Sequence, residues 1–462
     1  MRILLINPPA INFYHRVGLR MCPLGLGYVA AVLKGAGYGV KVIDLNVERI
    51  NYRTYPYQKY DLVGISVDTT RYPISLEIAE AAKKKGIKVV MGGPHVTFFD
   101  LETLLTQNVD YVVRGEGEYI MLELVKHLNN GKSLDEIKGI TYRSGDQIIR
   151  NPAAPLVQNL DNIPFPAREL LPMDRYTNIL YGRYSSSMMT SRGCPFNCEF
   201  CSCSAFSGMK WRTRSLDNIL KEIDLLYNKY GYRAISFLDD NFTLNPKRVI
   251  ELCETIIKKS WDLFWYAFSR VDTIVKNERM IQLMKKAGLS QVFVGFESGS
   301  QEVLDKMGKN VSVEKAYTAM EILKKHGVRV WGSFIIGALN ETRQMIKETI
   351  KFAKKLNPQL SQFSILTPYP GTRLYEKVKD QLLTSNWESF WGGEPVMKLN
   401  KITTQEMKDL IVRAYASYYL RPSKFITIGL PRLYELFLGY RRHKKNTLIR
   451  VNGDWAPRGA HI

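Results

Sequence analysis

The stretch SRGCPFNCEFC, residues 191–201, places three cysteines, Cys194, Cys198 and Cys201, within a span of eight residues. Three thiols on one short loop cannot all pair with one another as disulfides, and three thiolates are well suited to hold an iron–sulfur cluster or a metal. A zinc site would need a fourth ligand, and Cys203 is too close in sequence to complete an ordinary tetrahedral set. On a four-iron cluster, three protein ligands leave one iron open. The loop therefore predicts a cluster-binding site.

The length and cysteine content indicate a large cytoplasmic protein. The chain has 462 residues, enough for two or three domains, and three of its six cysteines lie in this loop, which argues against a secreted disulfide framework. The first residues, MRILLINPP, read as a strand and not as a cleavable signal, and no stretch approaches the roughly 18 apolar residues needed to span a bilayer. We therefore expect a reducing, cytoplasmic location.

The charge is strongly positive and concentrated near the end of the chain. The net charge is +21, and residues 401–462 carry 12 Lys and Arg against 4 Asp and Glu. Between residues 415 and 445, tyrosines and leucines alternate with basic residues, a pattern typical of a helix at a membrane interface. A helical cap that packs on the preceding domain and exposes a basic face fits the same pattern. No compact strand-rich RNA-binding module follows residue 400, which argues against a nucleic-acid partner.

Residues 1–150 alternate strand-like runs with amphipathic helical patterns, which predicts a parallel sheet wrapped by helices in a doubly wound, Rossmann-like α/β domain. The predicted strands are RILLINP, VKVIDL, DLVGISV, KVVMGGP and DYVVRG. Each ends in turn-forming residues, so the loops beyond their carboxyl ends form one rim that can face a ligand.

The remainder divides into three predicted segments. Residues 151–180 contain a proline-rich stretch that suits an ordered linker laid across a surface. Residues 181–400 contain six strand candidates with helical patterns between them, and residues 401–462 form the basic helical segment. The six strand candidates are Ser185–Thr190, Ala234–Leu238, Leu263–Phe268, Gln291–Phe296, Arg329–Ile336 and Gln362–Leu366.

The Cys-x3-Cys-x2-Cys spacing, with Phe200 before the third cysteine, resembles that of the radical S-adenosylmethionine (radical SAM) enzymes. The resemblance implies a partial (β/α)6 TIM barrel in which Cys194, Cys198 and Cys201 hold a [4Fe-4S] cluster. It also implies that the open iron binds SAM and that Phe200 flanks the adenine, a role that suits an aromatic ring. A non-enzymatic iron–sulfur carrier or sensor is an alternative that the ordered set of polar residues below argues against.

The predicted SAM-binding residues follow successive strands of this barrel, where βα barrels collect functional residues. Asp239, Asp240 and Asn241 follow the second strand and could hold the SAM ammonium. This segment differs from the Gly-Gly-Glu sequence that is frequent in the family and resembles the sequence of cobalamin-dependent members. The alternative is an Asx-rich turn that caps the next helix. Two further sets complete the prediction: Ser269 and Arg270 for the SAM carboxylate, and Glu297 for its ribose and amino end.

The first 150 residues resemble the cobalamin-binding domain of one class of these enzymes. Only Cys22 lies there, so the second cluster of the methylthiotransferases lacks ligands. A small-residue rim would let the backbone approach the wide corrin. The predicted rim residues are Asn7, Pro8, Pro9, Leu24, Gly25, Gly27, Ser66, Val67, Gly92, Gly93, His95, Thr97, Gly115 and Glu116.

No histidine is expected on cobalt, because the Asp-x-His-x-x-Gly motif of the cobalamin mutases is missing. His15 is followed by Gly18 but preceded by Phe13 where the aspartate should stand, and His95 lacks the pattern altogether. His95 is expected to order its loop. A domain that kept its shape but lost cobalamin is the alternative.

The resemblance implies that a 5′-deoxyadenosyl radical abstracts a hydrogen atom from an unactivated carbon of the substrate. Methylcobalamin is then the methyl donor. Cyclisation or oxidation without methyl transfer, and modification of RNA or a peptide, are the alternatives. The expected partners are a small or lipid-like substrate, including tetrapyrroles, and a reductant such as ferredoxin or flavodoxin, with peripheral membrane contact through the basic tail. The role of Cys203 stays open.

Overall fold

The computed structural model of the chain describes residues 1–10, 20–176, 179–180, 182–424, 448–451 and 454–457. Phe13, His15 and Gly18 lie outside the described residues, and so does most of the basic tail, residues 425–447. The predictions for these positions are therefore not addressed by the structure.

The first sheet has seven strands in the order β2-β1-β3-β4-β5-β6-β7. The first five strands are parallel and match the five predicted ones, whereas β6 and β7 add an antiparallel hairpin that the sequence did not predict. Because strands β1–β5 are covered on both faces, they consist of nearly continuous apolar residues. The strands are β1 Arg2–Asn7, β2 Gly39–Asp44, β3 Leu62–Ser66, β4 Lys88–Gly92, β5 Tyr111–Val113, β6 Ile140–Ser144 and β7 Gln147–Arg150.

Helices connect these parallel strands on the two sides of the sheet. Their positions between the strands agree with the amphipathic helical patterns predicted from the sequence. The helices are α1 Leu24–Gly35, α2 Tyr72–Lys83, α3 Pro94–Phe98, α4 Asp100–Leu105 and α5 Gly117–Asn130.

The proline-rich segment is ordered and joins the two sheets. Its Ala167 N–H donates to the Gly27 carbonyl at 3.0 Å, and its Tyr176 hydroxyl donates to Asp44 at 3.0 Å. Arg168, fully buried, lies 2.7 Å from the buried Glu222 of the following domain and donates to the Ser187 carbonyl at 2.7 Å. The linker is thus fixed to both neighbours by polar contacts.

The second sheet has the order β16-β15-β14-β13-β12-β9-β8. Six of its strands, β9 and β12 through β16, are parallel and form an open half-barrel. These six are the predicted strands, and β8 adds an antiparallel edge. A small hairpin, β10 with β11, precedes the second parallel strand. The strands are β8 Ile179–Leu180, β9 Arg183–Met188, β10 Ser191–Arg192, β11 Arg212–Thr213, β12 Ala234–Phe237, β13 Phe264–Ser269, β14 Leu289–Glu297, β15 Arg329–Ile336 and β16 Leu360–Ile365.

Helices cover the outer face of this half-barrel, and several begin at side-chain caps that satisfy free backbone N–H groups. Ser215, Asn245 and Thr342 are such caps. The helices are α6 Ser202–Ser207, α7 Leu216–Asp224, α8 Pro246–Lys258, α9 Val271–Lys276, α10 Glu278–Lys286, α11 Gln301–Lys306, α12 Val313–Lys325, α13 Arg343–Leu356, α14 Arg373–Val378, α15 Thr404–Tyr419 and α16 Pro422–Lys424.

The start of the basic segment packs against the half-barrel. Helix α15 opens with a capping box between Thr403 and Glu406, and its Tyr415 and Tyr418 rings lie 5.5 and 6.1 Å from Phe363 on β16. This part of the segment is a helical cap. A hairpin follows, β17 Leu448–Val451 with β18 Asp454–Pro457. Within the described part of the chain, no helix is long and apolar enough to cross a membrane.

Candidate active site

A cavity of about 340 Å³ lies between the carboxyl edges of the two sheets. The first domain contributes glycines and a serine beside aliphatic residues, and the second contributes the approach to the cysteine loop. Parallel α/β sheets bind ligands at this edge, beyond the carboxyl ends of their strands. The cavity-lining residues on which the argument depends are Gly25, Ser66, Gly92, Gly93, Gly115, Glu116, Glu118, Met189, Arg192 and Asp240.

Backbone, and not side chains, forms much of the cavity wall on the first sheet. Gly93 has a φ of +121°, and a Cβ atom there would lie 2.5 Å from the Val67 carbonyl oxygen, so only glycine fits. The Thr97 hydroxyl donates to the Gly93 carbonyl at 2.8 Å and accepts from the Gly115 N–H at 3.0 Å. Thr97 therefore holds two glycine loops together.

Several predicted rim residues do not line the cavity. Asn7 is buried and bonded to Asp44 and Arg71. At Gly27, a Cβ atom would lie 2.9 Å from Pro166, so this glycine admits the linker. The other predicted residues outside the cavity lining are Pro8, Pro9, Leu24, Val67, His95 and Thr97. Leu24 and Val67 are buried in the core, and the Thr97 hydroxyl bonds to the backbone of Gly93 and Gly115, so these side chains are engaged within the fold.

His95 is buried in an aromatic cluster and not on the cavity wall. Its ring centroid lies 4.3 Å from that of Tyr72, 5.1 Å from Phe99 and 4.9 Å from Trp387. Its Nδ1 is 3.3 Å from the Thr69 hydroxyl, and burial lowers the pKa of the imidazole to about 3. A neutral histidine in this position orders its loop.

A charged bridge crosses from one sheet to the other at the cavity. Arg192, two residues before Cys194, lies 3.2 Å from Glu116 and 2.6 Å from Glu118, and Arg212 lies 2.8 Å from Glu116. Burial alone would raise the pKa of Glu116, but the hydrogen bond from Arg212 and the charge of Arg192 lower it below its ordinary value. The bridge therefore couples the cysteine loop to the first sheet.

The cysteine loop is fixed by backbone contacts at both ends. The Gly193 N–H donates to Asp240 at 3.1 Å, and the Glu199 N–H donates to the Met307 carbonyl at 3.1 Å. A Cβ atom at Gly193 would lie 2.2 Å from the Lys210 carbonyl oxygen, so this position also requires glycine. The loop is held rigidly at the mouth of the half-barrel.

The three loop thiols differ in their surroundings. Burial raises the pKa of Cys194 and of Cys198, and the nearby cation Arg270 opposes this rise at both. Hydrogen bonding from Cys203 lowers the pKa of Cys201 to about 7, against the effect of burial. Within the part of the chain that the structure describes, no three Cys, His, Asp or Glu side chains are positioned as they stand to hold a metal ion.

The acidic and amide residues after β12 point in different directions. Asp239 is fully buried, and it accepts hydrogen bonds from the Thr190 hydroxyl at 2.7 Å and the Ser191 hydroxyl at 2.5 Å, so it organises the start of the cysteine loop. Asp240 is exposed and lines the cavity. Asn241 is 1% exposed, and its Nδ2 has no acceptor among the described residues. Of the three, Asp240 alone lies on the cavity wall.

The residues at the carboxyl ends of β13 and β14 are tied together by a lysine that the sequence did not single out. Lys309 lies 2.5 Å from Glu297, and its carbonyl accepts a hydrogen bond from Arg270 at 3.1 Å. Arg270 stacks 3.6 Å from the centre of the Phe196 ring, inside the cysteine loop. Ser269 bonds to Thr243 at 2.7 Å. Nothing in the local pattern GKN marked Lys309, since only the fold brings it to Glu297.

Phe200 packs against apolar residues at the rim of the half-barrel. It is partly buried against a cluster that contains Val303, Met307 and Leu374. The structure thus brings Phe200, Asp240, Arg270 and Glu297 to one end of the half-barrel, beside the loop that carries the three cysteines.

The donor set fits the predicted cofactors. The small-residue wall admits a flat macrocycle, the loop offers three thiols close to the cation Arg270, and the buried Nδ2 of Asn241 offers a hydrogen-bond donor to a polar ligand.

Two family models match the chain. The model described as "Radical SAM superfamily" matches residues 188–353, and the model described as "B12 binding domain" matches residues 14–125. The first match includes strands β12 to β15 of the second sheet, and the second match includes strands β2 to β5 of the first sheet.

Individual proteins resemble nearly the whole chain. The "Uncharacterized methyltransferase PH0819" of Pyrococcus horikoshii is 41% identical over 92% of this chain and 94% of its own length. The anaerobic magnesium-protoporphyrin IX monomethyl ester cyclase of Rubrivivax gelatinosus is 29% identical over 91% of this chain and 78% of its own length. Among solved structures, the cobalamin-dependent S-adenosylmethionine radical enzyme OxsB, with aqua-cobalamin and S-adenosylmethionine bound, is 18% identical. It covers 96% of this chain and 72% of its own with a TM-score of 0.76, which is a likeness of fold.

Proposed function

The chain belongs to the cobalamin-dependent radical SAM enzymes, and we propose that it transfers a methyl group to an unactivated carbon of a small molecule. The observation that carries this proposal is the shared cavity, in which the glycine loops of the first sheet face Met189, Arg192 and Asp240 of the second. A cavity between the two cofactor domains is where a methyl donor and a radical source can act on one substrate.

We assign the cofactors by position. Cys194, Cys198 and Cys201 would hold the [4Fe-4S] cluster. The residues proposed to hold SAM are Phe200, Asp240, Asn241, Ser269, Arg270 and Glu297, and Asp239 supports them by organising the start of the cysteine loop. Those proposed at the cobalamin wall are Gly25, Ser66, Gly92, Gly93, Gly115 and Glu116. When bound, the cluster would supply an electron, SAM would supply a carbon-centred radical, and cobalamin would supply a methyl group.

The chain's own residues bind and orient. Arg270 offers a guanidinium to a carboxylate, a pairing for which its fork is well shaped. Asp240 offers a carboxylate to an ammonium group at the cavity wall. Thr97 joins the two glycine loops through its hydroxyl, and Arg192 holds the cysteine loop against Glu116 and Glu118.

A second candidate is a cyclisation without methyl transfer. The cyclase of Rubrivivax gelatinosus supports it, since the similarity spans 91% of this chain. The two functions share every proposed cofactor residue and differ in the product.

An electron donor of the ferredoxin or flavodoxin type completes either proposal. Membrane contact through residues 425–447 stays a hypothesis, since these lie outside the described residues.

Anaerobic reconstitution tests the function directly. Protein supplied with iron, sulfide and cobalamin is expected to retain corrin absorbance after gel filtration and, with SAM and dithionite, to release 5′-deoxyadenosine. With a methyl-accepting substrate, S-adenosylhomocysteine should form alongside it. 5′-Deoxyadenosine without S-adenosylhomocysteine, from a substrate that is consumed, would favour the cyclase. A chain that retains no corrin would contradict both.

Substitution of Gly25 by phenylalanine is expected to lower corrin retention about tenfold or more, since an added benzyl group would occupy the cavity. Gly35→Phe provides a matched control on the same helix, because a Cβ atom at Gly25 or at Gly35 meets no atom within 4 Å but only Gly25 lines the cavity. Equal corrin retention by the two variants, measured from absorbance per protein chain, would remove the cavity from the proposal.

A further inference from the structure

The concave face of the half-barrel carries a patch of four aromatic residues, Tyr266, Phe268, Phe293 and Trp331, hereafter the aromatic patch. They occupy alternate positions on the neighbouring strands β13, β14 and β15, where Phe268 pairs with Phe293 and Phe293 with Trp331. Alternate residues of a strand point to the same face. All four are half-buried.

The opposite face of these strands is covered by helices. Trp265 donates to the Ala287 carbonyl just beyond α10 at 2.8 Å, and Phe334 lies 6.1 Å from Phe352 of α13. Trp265, Ala267, Val292 and Val294 are at most 1% exposed. The aromatic patch therefore lies on the side away from these helices.

The four rings form a closed set. Successive ring centroids are 5.3 Å apart for Tyr266 and Phe268, 5.0 Å for Phe268 and Phe293, 5.5 Å for Phe293 and Trp331, and 6.3 Å for Trp331 and Tyr266. The patch spans three strands and two alternate positions, or roughly 10 by 7 Å. It offers a continuous aromatic surface about the size of a fused ring system.

The aromatic patch is continuous with the proposed active site. Gly295 is the next residue of β14 on this face after Phe293, and a Cβ atom there would lie 2.3 Å from Glu297 Oε1 and 2.9 Å from Lys309 Nζ. The patch thus begins one alternate position, roughly 7 Å, from the Glu297–Lys309 pair. On the β9 side, Met189 follows Ser187 at alternate spacing and lines the cavity.

Small residues flank the aromatic patch. The neighbouring positions on this face include Ser187, Ser236, Gly295 and Ser333, which leave space beside the rings. Arg183 and Arg329 carry charge at the amino ends of their strands on this face, and the Glu297–Lys309 pair borders Gly295 at the active-site edge. A ligand here would meet rings and hydroxyls.

We propose that the aromatic patch is the substrate platform and selects a neutral, flat, conjugated ring system over a flexible alkyl chain. The inference rests on the proposed function, whose substrate class it names. Aromatic faces and edges gain specific contacts from another π-system that an alkyl chain does not offer. The small neighbours admit a rigid body. The nearest carboxylate and ammonium at the active-site edge, Glu297 and Lys309, are already paired with each other, so the rest of this face suits an uncharged ligand.

Binding of pyrene, a neutral planar probe, tests the platform by fluorescence titration of the full chain without SAM or reductant. Saturable binding is expected, with 1-hexadecanol competing poorly. The double variant Phe293→Leu/Trp331→Leu should weaken binding about tenfold, because two ring contacts are lost at nearly constant apolar character. Trp331→Phe should bind within about twofold of the parent, and Trp391→Leu, at a tryptophan that is 42% exposed and is not one of the four patch residues, serves as the control.

The outcomes separate the platform from the function. Equal competition by 1-hexadecanol, or unchanged pyrene affinity in the double variant, would overturn the platform. If the double variant fails to fold, the single variants Trp331→Phe and Trp331→Leu are compared instead. The platform would be overturned if Trp331→Phe bound pyrene no more tightly than Trp331→Leu. The parent chain is assayed separately for 5′-deoxyadenosine, so a failure of the proposed function is visible independently of pyrene binding.

Discussion

Cys198→Ala is expected to abolish the release of 5′-deoxyadenosine and to remove most of the bound iron. Cys198 lies at the centre of the loop and is 9% exposed; burial raises the pKa of its thiol, and the positive charges of Lys309 and Arg270 oppose this rise. With two of three thiolates left, a cluster loses the anchoring that three protein ligands provide. Iron per chain, the absorbance of the reconstituted protein and 5′-deoxyadenosine by mass spectrometry measure the effect.

Two other cysteines give controls for this variant. Cys253 is fully buried in helix α8, where burial raises its pKa to about 12, and Cys253→Ala is expected to keep iron and SAM cleavage. Cys203→Ala tests whether the neighbouring thiol replaces a ligand. Iron retained by Cys198→Ala but lost in Cys203→Ala would show that the assigned set of three thiols is incorrect.

Glu222→Gln is expected to destabilise the chain by about 3–5 kcal/mol, the usual cost of removing one partner of a buried ion pair. Glu222 is fully buried, lies 2.7 Å from Arg168 of the linker and also contacts Arg214. Neutralising it leaves two buried guanidinium groups without their carboxylate. The shift of the denaturation midpoint in urea measures the loss.

A surface pair provides the comparison. Glu302 and Lys306 are 2.6 Å apart on helix α11, with side chains 54% and 55% exposed, and such pairs contribute about 0–1 kcal/mol. Glu302→Gln should therefore move the midpoint little. A Glu222→Gln shift no larger than that of Glu302→Gln would mean that solvent or a neighbouring group compensates the two arginines, and that the linker is not fixed by this contact.

The strands and the cysteine loop could be predicted because local pattern determines them. Alternating or continuous apolar runs identify the strands of both sheets, and three cysteines at fixed spacing identify the loop without reference to the fold. The hairpin β6–β7 escaped prediction, since TYRS and QIIR carry a mixed polar pattern that a loop could equally show.

Site residues were less predictable, because neighbours in sequence can face opposite ways. Asp239 and Asp240 are adjacent, yet one is buried beneath Thr190 and Ser191 and the other lines the cavity. Gly25 and Gly27 share a helix, yet only Gly25 reaches the cavity while Gly27 admits Pro166. Composition marks such residues as polar or small, but the rotation of a helix or turn decides what each one meets.

By itself, the sequence determined the order of the elements, the cluster-binding loop and the family, because these depend on residues that are near one another along the chain. Tertiary structure alone decided which distant residues meet. Arg192 reaches Glu116 and Glu118, Lys309 reaches Glu297, and rings on three strands form the aromatic patch. Such contacts depend on how the sheets pack and on strand register, since a shift of one residue would turn each side chain to the other face.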